Sequence, residues 1–122
     1  MPNWHLFWGD THHNSYQYPE GRAQVPPLAE VLTETARHLD FYVAAYYLPA
    51  MRHVNLLKPV DGFPGIGLEG GKAPGRPERE WAEVQAVTAA ANRPGAFVVF
   101  PGYEWQGDGT WGDHNVSSPD DG

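Results

Sequence analysis

The spacing of apolar and polar positions changes several times along the chain, and each change marks a predicted element. Trp4 to Trp8 (WHLFW) is a short aromatic-rich run closed by Gly9-Asp10, which predicts a first strand. Residues 10–27 are rich in Asn, Ser, Tyr, Gly and Pro and are expected to form a loop. From Leu28 the period lengthens. Leu28, Val31, Leu32, Thr35, Ala36 and Leu39 recur at intervals of three and four, and Pro26-Pro27 sit where a helix start tolerates them. Asp40 to Tyr47 then runs almost continuously apolar, as expected of a strand covered on both faces.

Residues 48–76 lose all period and hold the Gly-rich stretch GLEGGKAPG, so a long irregular connection is expected there. A second helix follows. Pro77 lies at a plausible first position, Glu78 and Glu80 favour the N-terminal dipole, and Trp81, Val84, Val87, Thr88 and Ala91 form one stripe. Asn92, Pro94 and Gly95 stop it. Phe97 to Phe100 reads as a buried strand ended by Pro101-Gly102, and the remainder as loop with a short hairpin. Strands alternating with helices imply parallel βαβ units. The fold class is therefore α/β, with about three strands and two helices. Three strands cannot close a barrel, so either the sheet stays open or a partner chain completes it.

Length and charge narrow the function. A chain of 122 residues suits one domain with one core, and residues 1–122 are read as such. The formal charge of −7 and only eight scattered Lys and Arg argue against nucleic acid as a partner. An acidic chain can still act on an anionic substrate if metal ions supply the positive charge. Cysteine is absent, which excludes a disulfide framework. The start lacks the features of a signal peptide, and no apolar run is long enough to span a bilayer, so a soluble cytoplasmic protein is expected.

The chemistry-bearing residues fall just after the predicted first and third strands. Gly9-Asp10-Thr11-His12-His13-Asn14-Ser15 follows the first; Gly102-Tyr103-Glu104-Trp105 follows the third, with His114 beyond it. Functional groups in parallel α/β folds collect at the carboxyl ends of strands, so His12 and Glu104 are expected at one edge of the sheet. Imidazole nitrogen with carboxylate oxygen suits Zn, Mn or Fe. Against this stand plainer readings: adjacent histidines are often surface residues, and His114 in Gly-Asp-His-Asn is a common turn residue. His5, His38 and His53 are read as structural or exposed, and Trp4, Trp8 and Trp81 as core. For Trp105 and Trp111, a substrate wall and simple packing both remain open.

The string LFWGDTHHNS (residues 6–15) resembles the first motif of the polymerase-and-histidinol-phosphatase (PHP) superfamily, a strand followed by Asp-x-His-x-His-Ser. NRPGAFVVFPGYEW and GDHNV resemble the PHP-like branch grouped as DUF3604, and Leu39-Asp40-Phe41 resembles that family's second strand. The resemblance implies the N-terminal part of a distorted (β/α) barrel that hydrolyses phosphoesters with two or three bound metal ions. It places metal ligands at His12, at Asn14 (where the family has a second histidine), at Glu104 and at His114. Asn14 is a poorer ligand than histidine, and Ala45-Tyr46-Tyr47 stands where the family has Thr-Asp-His. The implied activity is hydrolysis by water activated on a divalent Zn, Mn or Fe ion, with a small phosphoester or related ester as substrate. The alternative is a metal-free relative that self-assembles as a homo-oligomer or completes its sheet with a partner chain.

Overall fold

The computed structural model describes residues 3–16, 26–48, 75–105 and 112–119. Most of the predicted irregular segment 48–76 lies outside the described residues, as do His53 and Trp111. The described chain is mixed α/β. Its elements run β1 (Gly9–Ser15), α1 (Leu28–Thr35), β2 (Phe41–Leu48), α2 (Arg76–Ala91), β3 (Val98–Trp105) and β4 (His114–Ser117). They build one sheet in the order β1-β2-β3-β4. The first three strands are mutually parallel and β4 returns antiparallel to β3. Four strands thus replace the expected three, because the C-terminal hairpin joins the sheet. The described sheet is open, not a closed barrel.

Both helices form, although α1 ends at Thr35, before the last two stripe positions, Ala36 and Leu39. Leu28, Leu32, Val84 and Thr88 are buried, and Val31, Ala36, Leu39, Trp81, Val87 and Ala91 pack partly buried against the same core. They cover one face of the sheet, carried by Tyr42, Ala44 and Tyr46 of β2 and Val99 and Tyr103 of β3. Helix α2 starts on Gly75 at φ 75° with a proline in its first turn. At its other end the Asn92 side chain accepts a hydrogen bond from the Val99 N–H at 3.2 Å, which ties the helix to β3. A largely buried ion pair anchors the opposite end of α2. Arg76 Nε donates to Glu80 Oε1 at 2.6 Å, and the Tyr46 hydroxyl donates to Glu80 Oε2 at 3.0 Å. Among the described residues no helix is long and apolar enough to cross a membrane.

The first strand departs from expectation. Trp4 to Trp8 is not a strand, and its side chains are not core: Trp4 is 89% and Trp8 66% exposed. Residues 10–15, read as the start of a loop, belong instead to the strand Gly9–Ser15. Backbone pairing explains the difference, since β1 is held by its ladder to β2 and needs little apolar side-chain burial of its own. Asp40 fixes where that ladder begins. Its carboxylate accepts from the Trp8 N–H at 2.8 Å, its N–H donates to the Trp8 carbonyl at 2.7 Å, and its carbonyl accepts from the Val98 N–H at 2.9 Å. One residue therefore joins the entry points of three strands.

The third strand also runs further than predicted, through Pro101-Gly102 to Trp105. Pro101 has no N–H to give to a ladder. Its carbonyl accepts from the Ser118 N–H at 3.0 Å, so that side of the residue faces β4, one step beyond the last paired residues, Gly102 and Ser117. The missing donor therefore falls outside both ladders. Gly102 is needed for close approach: a Cβ there would lie 2.7 Å from the Val116 carbonyl oxygen and 3.0 Å from Val43 Cγ1. Gly102→Ala is expected to destabilise the fold by about 1–3 kcal/mol, read from the midpoint of urea unfolding; an unchanged midpoint would show that β4 does not pack as described.

Candidate metal centre

The parallel register decides which side chains share a face. Residues paired across β1, β2 and β3 point to the same side, and neighbours along each strand alternate. Asn14 pairs with Ala45 and Tyr47 pairs with Glu104, placing Asn14, Tyr47 and Glu104 on the face opposite the described helices. All three lie toward the carboxyl ends of their strands, where sites in parallel sheets collect.

His12 reaches that face through an irregularity in β1. Asp10 pairs with Tyr42 and His13 with Ala44, so Thr11 and His12 stand opposite the single residue Val43. This is a β-bulge, which turns side chains out of simple alternation and is common beside functional sites. The Asp10 carboxylate holds it by accepting from the His12 N–H at 2.9 Å. An aspartate two residues before the bonded N–H is a sequence-visible Asx-turn signal. With the bulge in place, His12 Nε2 lies 3.3 Å from Glu104 Oε2. The Glu104 side chain is 8% exposed, whereas that of His12 is 46% exposed and open to solvent. Both residues are in strands rather than in the loops after them.

The other predicted ligands divide. Asn14 shares the face of Glu104, and its Oδ1 is buried. His114 does not share it. His114 pairs directly with Trp105 across the β3–β4 ladder, and its ring stacks on the indole at 5.7 Å between centroids. Trp105 alternates with Glu104, so His114 stands on the opposite side of the sheet and Asn115 is the residue paired with Glu104. Tyr46 and Tyr47 divide in the same way. Tyr46 enters the core, where burial, and then the Glu80 carboxylate, raise its phenol above the ordinary value. Tyr47 faces the site, and its phenol is raised first by burial, then by Glu104 and Asp113. His13 lies against the Tyr42 ring at 5.6 Å on the helix side.

The donors on this face fit a divalent cation. Glu104 Oε2 and Asn14 Oδ1 are buried and have no hydrogen-bond partner among the described residues. A buried carboxylate needs a counter-charge, which either a protonated imidazole at His12 or a bound cation would supply. Ligand atoms on a tetrahedral ion at bond lengths of about 2.0–2.2 Å are separated by about 3.3–3.6 Å. The His12–Glu104 contact falls in that range. Among the described residues, no group of three or more His, Cys, Asp or Glu side chains could hold a metal ion. Among the described residues a third donor would be of another type, and the two amides on the face of Glu104 are Asn14 and Asn115.

If Glu104 is shaped for a cation, its charge costs stability when no cation is bound. Glu104→Gln is expected to raise the stability of metal-free protein by about 0.5–2 kcal/mol, measured by urea denaturation in the presence of a chelator. A lower stability would make the carboxylate a purely structural partner of His12. No protein-family model, curated protein or solved structure matches this chain.

Proposed function

We propose that the chain is a PHP-like, metal-dependent hydrolase unit acting on a phosphoester or related ester. The observation that supports this reading is the 3.3 Å contact of His12 Nε2 with the buried Oε2 of Glu104, on the face opposite the described helices. A bound divalent ion, Zn, Mn or Fe, would supply activated water and polarise the phosphoryl oxygen. His12 and Glu104 would hold it, with Asn14 beside them. Asp10 positions His12 through the bulge, and Tyr47 places a phenolic O–H in the same row for a substrate oxygen. His114, named as a ligand by the family resemblance, stacks on Trp105 and lends support to the indole instead.

Thermal unfolding with and without added Mn or Zn tests the reading directly. Ion at a hundredfold excess over its Kd should stabilise the fold by about 2.7 kcal/mol, and Glu104→Gln should abolish the gain. Hydrolysis of a chromogenic phosphoester should depend on the added ion and stop with chelator. Absence of both stabilisation and hydrolysis would sink the proposal.

A second reading, a self-assembling module, is favoured by a separate observation. Leu6, Phe7 and Trp8 are 76%, 67% and 66% exposed. Phe7, Phe41, Val98 and Phe100 line an apolar hollow of about 580 Å³ at the amino ends of the strands. β1 has a single neighbour in the described sheet, and unpaired strand edges invite pairing with another chain. Light scattering coupled to size exclusion is expected to show a dimer or larger species that Phe7→Asp returns to monomer. A wild-type monomer at all concentrations would exclude this reading.

A further inference from the structure

We infer that the chain pairs with a second copy of itself by seating Trp4 of each copy in the apolar hollow of the other. This pairing rests on the self-assembly reading above and names its anchor and its seat. The hollow holds about 580 Å³, a size that takes a large aromatic group. Its lining includes Phe41, Val98 and Phe100, which alternate along β2 and β3 with the core residues Tyr42 and Val99 and so face away from the described helices. Gly95 and Ala96 also line it, and neither carries a side chain large enough to fill it.

Trp4 is 89% exposed although Phe7, close behind it in the chain, lines the hollow, so Trp4 does not occupy the seat of its own copy. An indole is a large apolar plate with one N–H that seeks a partner when buried. The hollow answers both demands. Most of its lining is apolar, and Asp40 adds a carboxylate with lone pairs beyond the one that the Trp8 N–H takes. Trp4, Leu6, Phe7 and Trp8 together expose on the order of 600 Å² per copy, most of the roughly 800 Å² that each partner gives to a stable interface. Anchor and hollow belong to the same chain, so a two-fold dimer makes the contact twice and closes on itself. A tryptophan desolvated in a pocket is the kind of residue that dominates an interface.

Sedimentation equilibrium of the full chain is expected to show a dimer. Trp4→Ala should raise its Kd by about thirtyfold or more, with an unchanged circular dichroism spectrum because the side chain is exposed. Ala96→Phe adds apolar surface but fills the seat, so it should weaken the dimer too, whereas general stickiness would strengthen it. An equimolar mixture of the two variants should pair more tightly than either alone, since it restores one seat of the two. A wild-type dimer that both variants leave intact, a tighter dimer in Ala96→Phe, or a mixture no tighter than its components would overturn the Trp4 seat while leaving self-assembly standing. A wild-type monomer at all concentrations would overturn both.

Discussion

The fold hangs on β2, a strand buried on both faces between two parallel neighbours. Tyr42, Val43, Ala44, Ala45, Tyr46 and Tyr47 are all nearly inaccessible to solvent. A strand covered on both faces has no freedom of register, because a one-residue slip would exchange its core side chains for those of the opposite face. β1 and β3 inherit their alignment from it. Tyr42, Ala44 and Tyr46 lock under the helices; Ala45 and Tyr47 thereby fix the level at which Asn14 and Glu104 stand on the other side. Asp40 sets the same alignment at the amino ends by bonding Trp8 and Val98.

Against that rigid frame, a single extra residue in β1 does the local work. Strict alternation would place His12 and Asp10 on the same side. The bulge, held by Asp10, lets His13 rejoin the ladder on the helix side while His12 turns to Glu104. An acidic residue buried near a strand end thus has an imidazole aimed at it, and Asn14 carries a buried amide oxygen on the same face of the sheet. The same alternation removes His114, because its partner across the ladder is Trp105 and not Glu104.

Much of the architecture was legible in the chain. The period of three and four in Leu28–Leu39 and in Trp81–Ala91 identified both helices, and the unbroken apolar run ending at Tyr47 identified the central strand. The strand at Val98 was legible too, although its length was not. Pro101-Gly102 is a stop signal in most contexts, and only the position of β4 shows that the proline's missing N–H falls outside a ladder. Trp4–Trp8 misled for the converse reason. Apolar composition favours a strand, but no described layer covers that segment, whereas the polar GDTHHNS stretch is paired along its backbone to β2.

The sequence by itself determined which residue types were available for chemistry, His12, Asn14, Glu104 and His114, and the order of elements bearing them. Only the tertiary structure decided which of them meet. Faces in a sheet depend on register and on bulges, and both are settled by long-range pairing and by the burial of β2 rather than by local spacing. That is why His12 and Glu104, 92 positions apart in the numbering, come within 3.3 Å, while Glu104 and His114, close in sequence, stand on opposite sides of the sheet.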